Sequence, residues 1–512
     1  MFSSLDSDPP CWERPCWRAL RWRASLLGFD SMRIAILVHS AVDNDARIIK
    51  QACSLREAGH DVVIHGIAPG MACTRSFLPG SDIPVLLESR WSAAERLFKR
   101  AARVLCAALG IVLLTLASLP ILAQSWSLAG IDLRWMVVLA LWAAASGVVY
   151  RQRHLLARTM AHLSDFLAQR WRRFERNDNL TATRADLVLG RGFRVIGDAL
   201  LRSLARLQPP AAIHIHDHVA LVLAATLKQR YGVPIVWDAH EIYQALADGN
   251  QVRAEENAAI IAARHRFIDH FITINDSIAA FYRALYPDLP TAVVVMNATL
   301  PTTAPLYDGC LHVAAGLPLT QKILLFQGRF SPHRGLHHLV AAANALHADW
   351  TLVMMGWGGL ESELRALAAT CLRQGRAATV FLPGVAQQDL QRWSAGASLG
   401  VVPYENTSLN HLYCTPNKLW EYPSAGVPVL CTDLPEMAAI VTQAGCGFLL
   451  PRDFKATDIA NFVNNLDDLT LATARAHCAP FIASNNWTHW QRHLLAVYQR
   501  IAATQSNTPR LP

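Results

Sequence analysis

The sequence is poor in the patterns that hold metals, disulfides and dinucleotides. Its eleven cysteines are scattered with no CxxC pair, which argues against a zinc site or a disulfide framework and predicts a reducing compartment. His214, His216 and His218 alternate along a predicted strand but lack a fourth ligand, so we expect no metal. No complete GxGxxG follows a predicted strand, so we expect no dinucleotide cofactor. Residues 1–31 lack the apolar core of a signal peptide, and we predict a poorly ordered extension there, or a start codon chosen too far upstream.

Charged residues are also scarce, at 17% of the 512 residues against 52% hydrophobic residues, and the mean hydropathy is +0.20. The formal net charge of +8 comes from Lys and Arg spread along the chain, with concentrations around 96–103 and 151–176. Because these clusters lack the interleaved aromatic residues of a nucleic-acid stripe, we expect no nucleic-acid partner. They are typical of the flanks of a membrane element, which makes membrane lipid the expected partner.

Two uncharged segments, 104–123 and 135–150, lie between these basic clusters. The first has the 20 residues that a helix needs to cross a hydrocarbon core of about 30 Å, and the second reaches that length only with its neighbours. The loop between them carries one Arg and one Asp, so the positive-inside rule puts both outer ends in the cytoplasm. We predict a membrane-spanning or membrane-embedded hairpin, with buried core helices or a re-entrant hairpin in one leaflet as alternatives.

Elsewhere, short apolar runs alternate with stretches of helical periodicity, which predicts an α/β fold of two doubly wound parallel sheets. The predicted strands begin near Arg33, Asp61, Ala211, Pro234, Phe271, Ala292, Lys322, Trp350, Ala378, Leu399 and Val427. The predicted division is an extension at 1–31, a first domain at 32–300 interrupted by the hairpin at 104–150, a linker at 301–319, a second domain at 320–482, and a C-terminal helix and tail at 483–512 that pack on the first domain.

The segment PNKLWEYPSAGVPVLCTDLPE resembles the donor-binding strand and helix of the family 4 retaining glycosyltransferases. The resemblance covers roughly residues 32–90 and 185–505 and implies the GT-B fold, in which two Rossmann-like domains face each other across a cleft. It implies that Glu421 binds the ribose of a nucleotide, since a carboxylate accepts hydrogen bonds from both ribose hydroxyls. The alternative is a Glu that caps or lines an ordinary helix.

The segment FQGRFSPHRGL is similar to the family's strand and loop that carry an Arg and, five residues later, a Lys. Arg329 matches the first of these, and Arg334 replaces the second. Two fixed cations stabilise the charge that develops on a departing nucleoside diphosphate without a metal, so the resemblance implies catalytic roles for both. A pair of surface arginines in a polar loop is the alternative.

Four further residues are predicted to bind the donor. Gly328 ends the strand before Arg329, while Asn417 and Lys418 stand at a helix start whose backbone N–H groups favour phosphate. Arg47 stands at the mouth of the first helix, in a loop without the paired glycines of many relatives, and is predicted to contact donor or acceptor. For Lys418 and Arg47 the alternative is a solvated side chain.

The first domain contributes VPIVWDAHEIY, which resembles a family segment that follows a strand and faces the cleft. His240 stands where relatives place a histidine near the acceptor or the transferred sugar, and a neutral His can orient or deprotonate an acceptor hydroxyl. A purely structural His is the alternative. Asp238 and Glu241 are expected to hold the loop by hydrogen bonds or a cap.

The sequence thus predicts an enzyme that moves a sugar, with retention, from a UDP- or GDP-linked donor to a lipid-linked or saccharide acceptor at the cytoplasmic face of a bacterial inner membrane. The nucleotide sugar is a substrate, so no cofactor is expected. Tyr413 replaces a Glu that the family places near the sugar, which leaves sugar recognition open; Glu405 and Asn410 are the candidates to substitute. A membrane-tethered scaffold that has lost catalysis is the alternative that Tyr413 favours, and NKLWEY argues against an epimerase.

Overall fold

The computed structural model describes residues 31–42, 45–68, 73–90, 191–246, 250–370 and 379–506, together with short strands at 127–128, 131–132, 372–373 and 376–377. The chain divides into one compact unit of Met1–Ile67, Thr74–Glu88 and Val188–Pro512 and a second of Ala68–Cys73 and Ser89–Leu187. The predicted membrane segments, 104–123 and 135–150, lie outside the described residues. None of the described helices is both long enough and apolar enough to cross a membrane.

The first unit contains two α/β sheets. Eight strands form the first sheet, in the order β10-β9-β8-β7-β1-β2-β4-β3, and all neighbours are parallel except β3 and β4. Its strands are β1 (Arg33–Leu37), β2 (Asp61–Ile67), β3 (Thr74–Phe77), β4 (Pro84–Glu88), β7 (Ala212–His216), β8 (Ile235–Ala239), β9 (His270–Thr273) and β10 (Ala292–Val294). The antiparallel pair β5 (Ser127–Leu128) and β6 (Ile131–Asp132) belongs to the second unit. The helices of the first domain are α1 (Ala46–Glu57), α2 (Arg191–Leu204), α3 (Ala224–Tyr231), α4 (Gln251–Arg264) and α5 (Asp276–Leu285), with 3-10 turns at Ala220–Leu223, Tyr243–Ala245 and His265–Phe267.

Six parallel strands form the second sheet, in the order β15-β12-β11-β16-β17-β18. Its strands are β11 (Lys322–Arg329), β12 (Trp350–Trp357), β15 (Thr379–Pro383), β16 (Leu399–Val402), β17 (Val429–Thr432) and β18 (Gly447–Leu450), while β13 (Leu372–Arg373) and β14 (Arg376–Ala377) pair separately. The remaining helices are α6 (Cys310–Ala315), α7 (Leu336–Ala343), α8 (Glu361–Thr370), α9 (Leu390–Ser394), α10 (Leu409–Leu412), α11 (Lys418–Ser424), α12 (Pro435–Ala444), α13 (Ala456–Asn464), α14 (Asp468–Ser484) and α15 (Trp487–Ser506).

Two parallel sheets of alternating strand and helix confirm the predicted α/β architecture. The central strands are buried on both faces, as the continuous apolar runs indicate. Beside the two short pairs β5–β6 and β13–β14, the structure adds three strands to the sheets that the sequence did not predict. β3 and β4 extend the edge of the first sheet and β18 extends the second. β3 is exposed, and β4 and β18 are only partly buried, so these three strands lack the burial on both faces that marks the central strands.

Local sequence explains the first helix, which carries residues into the site. Asp45 caps α1 by accepting hydrogen bonds from the backbone of Arg47 and Ile48, at 3.1 and 3.2 Å. Gly59, with φ of 93°, lies just after the end of α1. Ile48 and Leu55 are buried against the first sheet, in the same core cluster as residues of α15. The C-terminal helix α15 therefore packs against the first domain.

The chain passes between the two domains twice, near residues 297–299 and near residue 487, and both segments form hydrogen bonds to α1. Lys50 donates hydrogen bonds to the carbonyls of Asn297 and Ala298, at 3.3 and 2.5 Å, in the first segment. Trp487, in the second segment, donates its indole N–H to the Ser54 hydroxyl at 2.8 Å and its backbone N–H to the carbonyl of Thr299 at 2.7 Å. The two connecting segments are thus hydrogen-bonded to each other and to α1, the helix that carries Arg47 into the site.

Candidate active site

A cavity of about 460 Å³ lies between the two domains. Parallel strands bring their carboxyl ends to one edge of a sheet, and the ends of β8, β11 and β12 supply part of this lining. Seven of the eight predicted catalytic and donor-binding residues line the cavity: Arg47, His240, Gly328, Arg334, Asn417, Lys418 and Glu421. Arg329 is exposed at the end of β11 and is not part of the lining. Its predicted role remains a prediction.

Glu421 enters the cavity from the short helix α11. Tyr422, the next residue, fixes this helix against β11, because its hydroxyl donates to the carbonyl of Leu325 at 2.8 Å and accepts from the backbone of Gln327 at 3.0 Å. The side chain of Gln327 then donates to the Glu421 carboxylate at 3.0 Å. The side-chain oxygen of Gln327, Oε1, in turn accepts from the Ser394 hydroxyl at 2.6 Å. The carboxylate is held in one orientation, with acceptor capacity left for a ligand.

Lys418 brings an ammonium group to the same wall. Its Nζ lies 5.7 Å from the ring centre of Phe326 and 5.9 Å from that of Tyr404. Burial lowers the pKa of Lys418 to about 8, although nearby Glu421 favours the charged form. Gly328, with φ of 117°, allows this approach, since a Cβ there would lie 3.1 Å from Nζ. The half-buried Lys418 does not fit the alternative of a solvated side chain.

Arg334 provides the second cation of the cavity. Its guanidinium lies 4.6 Å from the ring centre of Tyr404, and its Nε donates to the Ser331 hydroxyl at 2.7 Å. Burial lowers the pKa of Arg334, and Arg329 nearby has the same effect. The loop that presents it is tightly built, because Gly335 has φ of 64° and a Cβ there would lie 2.1 Å from the carbonyl oxygen of Pro403. Two positive groups therefore face the cavity, with Glu421 on the same side.

Asn417 and Asn297 meet across the two domains. The side chain of Asn297 donates to the side-chain oxygen of Asn417 at 2.9 Å. Asn417 immediately precedes α11 but makes no side-chain cap bond to it. Its amide group is therefore oriented by the first domain.

His240 is held by a carboxylate that the sequence did not indicate. Its Nε2 lies 3.2 Å from one carboxylate oxygen of Asp217, and the same oxygen accepts from the Tyr243 hydroxyl at 2.8 Å. The other carboxylate oxygen of Asp217 lies 3.3 Å from Nδ1 of His39. Burial alone lowers the pKa of His240, but Asp217 and Asp238 outweigh it and the pKa is raised. Burial opposes the charge on Asp217 as well, yet His240 and His39 hold its pKa well below the usual range. The pair favours an imidazolium rather than the neutral His that the sequence suggested.

Replacing Asp217 by Asn is expected to lower the pKa of His240, because the variant removes the charge that favours the imidazolium while keeping the side-chain shape. An NMR titration of the His240 ring measures this directly, against about 6.5 for an unperturbed histidine. Asp288→Asn, at an exposed aspartate of the same domain, is the matched control. An unchanged His240 pKa in D217N would show that Asp217 does not set the protonation state.

Arg47 is engaged within the protein. Its guanidinium forms a two-pronged ion pair with Asp238, at 2.8 and 2.7 Å, and donates to the carbonyl of Val295 at 2.7 Å. Gln51 donates to the same carboxylate at 2.7 Å. Since only 3% of Arg47 is exposed, the alternative of a solvated Arg is wrong. Asp238 is fully buried, and its carboxylate acts through these hydrogen bonds to Arg47 and Gln51.

The three histidines do not share one face. β7 ends at His216, and Asp217 follows with φ of 61°, so His218 turns away and lies 4.3 Å from the ring of Tyr243. The rings of His214 and His216 stack at 4.5 Å, and their ligand atoms lie within 4.8 Å of each other and of an oxygen of Asp238. Asp238 is already paired with Arg47, so a metal ion would place a second positive charge beside a guanidinium. The absence of a metal cofactor stays a prediction.

Tyr413 packs away from the cavity. Its side chain contacts the core cluster of the first domain, and its carbonyl accepts from the side chain of Asn275 at 2.7 Å. Of the two proposed substitutes, Asn410 lines the cavity and accepts from the backbone of Ile242 at 2.8 Å, whereas Glu405 is not part of the described lining. Tyr413, a residue of the second domain, therefore contributes to the contact between the two domains.

Sequence reasoning missed several residues of the site. Asp217 and Trp357 lie outside the segments used for the resemblance, Gln327 lies within FQGRFSPHRGL but was given no role, and Glu241 was assigned to the loop. Asp217 directly follows a buried strand, as site residues of parallel sheets often do, and this was the one available signal. Gln327 acts only through its position opposite α11, which a single sequence does not reveal.

Comparison with known proteins gives relatives in sequence and in fold. Residues 321–469 match the family model described as "Glycosyl transferases group 1". The chain is 27% identical over 322 residues to a D-inositol 3-phosphate glycosyltransferase of Nocardioides sp., covering 57% of this chain and 67% of that protein.

Solved structures show the same fold. Sucrose-phosphate synthase from Thermosynechococcus elongatus superposes with a TM-score of 0.62 at 14% identity, covering 92% of this chain and 100% of that chain. Anabaena HepE, solved in complex with UDP-glucose, superposes with a TM-score of 0.55 at 15% identity, covering 93% and 100%. The predicted GT-B fold is thereby confirmed, and residues 321–469 of the second domain are similar to the group 1 glycosyltransferases.

Proposed function

We propose that the chain transfers a sugar from a UDP- or GDP-linked donor to a saccharide acceptor. The observation that carries the proposal is the grouping of Arg334, Lys418 and Glu421 on one wall of a cavity between two domains. The two cations suit a diphosphate, and the oriented carboxylate suits ribose hydroxyls. The Anabaena protein, which has the same fold, was solved in complex with UDP-glucose, and this supports the proposed class of donor.

In the proposed reaction the bond between the anomeric carbon and the diphosphate oxygen breaks, and a bond to an acceptor hydroxyl forms. Arg334 and Lys418 stabilise the negative charge that grows on the leaving diphosphate. We propose retention of configuration, with the hydroxyl proton passing to the departing phosphate, and no metal. His240, paired with Asp217, orients hydroxyl groups at the first-domain side of the cavity.

We further propose a lipid-linked acceptor at the cytoplasmic face of a membrane. Support comes from the sequence alone, namely the uncharged segments 104–123 and 135–150 and the basic clusters beside them. The curated relative carries D-inositol 3-phosphate in its name, so a phosphorylated soluble acceptor is the alternative to test beside it.

Turnover tests the proposal. The full chain in detergent is incubated with UDP-glucose, UDP-N-acetylglucosamine and GDP-mannose, with membrane lipid extract or inositol phosphate as acceptor, and release of nucleoside diphosphate is measured. We expect release from at least one donor. A scaffold without catalysis would bind nucleotide and release none, and that result would contradict the proposal.

Trp357 is expected to stack on the nucleobase. It lines the cavity at the end of β12 with 59% of its surface exposed, so its indole face is open to a ligand. A Cβ at Gly384 would lie 2.4 Å from its ring, so the indole packs directly on that backbone. Trp357→Ala is expected to weaken UDP or GDP binding by about 10- to 100-fold, the usual contribution of one stacked base.

Calorimetric titration measures this effect. Trp357→Phe, which keeps an aromatic face, is the matched control and is expected to bind within a few-fold of wild type. Inorganic pyrophosphate, which has no base, is expected to bind both variants equally. Equal nucleotide affinity of Trp357→Ala and wild type would rule out stacking.

A further inference from the structure

Glu241 lies where two cavities meet. The donor cavity is lined by this residue, and so is a second cavity of about 380 Å³ in the first domain. No other described residue lines both. The second cavity includes His39, Asp217 and Tyr243, the groups that surround His240. The two cavities therefore adjoin at Glu241 and at the contact between His240 and Asp217.

The backbone of Glu241 is fixed while its carboxylate is not. The Tyr282 hydroxyl donates to the Glu241 carbonyl at 2.9 Å, and the side chain of Asn410 holds the next backbone N–H at 2.8 Å. Among the hydrogen bonds and ion pairs of the described residues, none involves the Glu241 carboxylate. Burial raises the pKa of this carboxyl group, and His240 and Arg334 oppose the rise. A desolvated carboxylate without a partner is costly, unless a ligand supplies hydrogen bonds.

The second domain supplies no carboxylate at position 413. Tyr413 is committed to the core of the first domain, and Glu405 lies outside the described lining of the cavity. The other carboxylates of that lining have partners within the protein: Asp45 caps α1, and Glu421 accepts from Gln327. Glu241 is thus the carboxylate of the lining that accepts no hydrogen bond from another described residue.

We propose that Glu241 binds the hydroxyl groups of the reacting saccharides, and that the cavity of about 380 Å³ receives the terminal sugar unit of the acceptor. The inference rests on the proposed function and names its acceptor chemistry. A carboxylate without a partner accepts hydrogen bonds from the hydroxyl groups of a saccharide.

Glu241→Gln tests this role, because it keeps the size of the side chain and removes the charge. With the donor that the wild type turns over, the variant is expected to lose about 10- to 100-fold in kcat/KM, as for one hydrogen bond to a charged group. Its affinity for UDP or GDP is expected to stay within about twofold of wild type. Glu255→Gln, at an exposed glutamate of α4, is the matched control and is expected to change neither quantity.

Unchanged turnover in Glu241→Gln overturns the inference, and so does an equal loss of nucleotide affinity, since that marks a structural role. Should the Gln variant not fold, Glu241→Ala removes the carboxylate altogether, and wild-type turnover there overturns the inference as well. A wild-type chain that turns over no donor contradicts the proposed function instead, so the two failures are distinguishable.

Discussion

Replacing Arg334 by Ala is expected to lower kcat/KM for nucleotide-sugar turnover by about 10²- to 10³-fold, the usual loss when one preorganised donor to a developing anion is removed. The half-buried guanidinium is fixed by Ser331 and Tyr404, so it requires little reorganisation when the diphosphate departs. Arg334→Lys is expected to recover part of the loss, because it keeps the charge without the two-pronged geometry.

Steady-state kinetics with the active donor measures this effect. Arg365→Ala provides the control, since Arg365 is exposed and paired with Glu361 on α8. Arg329→Ala separates the two predicted arginines and is expected to have a smaller effect, because Arg329 does not line the cavity. If kcat/KM of Arg334→Ala equals that of the wild type, Arg334 does not stabilise the departing diphosphate.

Replacing Asp238 by Ala is expected to lower the free energy of unfolding by about 3–5 kcal/mol, because it leaves the buried Arg47 guanidinium without its counterion. Gln51 would lose its acceptor at the same time. Denaturant unfolding measures the change. Asp61→Ala is the control, since Asp61 pairs with Arg33 on the surface and that pair is worth less than about 1 kcal/mol. A loss below about 1 kcal/mol in Asp238→Ala would mean that the pair does not hold the first domain together.

The fold was predictable because its strands are short, buried on both faces and spaced by helices, so apolar runs alone mark the central strands. The second-domain wall of the site was predictable for a similar reason. Lys418 and Glu421 lie three residues apart on one helix, and Arg334 lies in the loop that follows β11. Local sequence specifies such positions.

The rest of the site depends on contacts between distant segments. Arg47 and Asp238 are 191 residues apart, so neither local pattern shows that they pair. Asp217 and His240 follow two different strands of the first sheet, and no local pattern shows that their side chains meet. Tyr413 and Glu241 take their places from the packing of one domain on the other, which a motif in either domain does not describe.

Calorimetric titration of the folded chain with UDP and GDP tests the nucleotide-binding claim most directly. The cavity predicts saturable binding of at least one of the two, and a loss of affinity of about tenfold or more in Glu421→Gln, where the ribose would lose a charged acceptor. Binding of neither nucleotide, or equal binding by wild type and Glu421→Gln, would contradict the assignment of this cavity to a nucleotide-sugar donor.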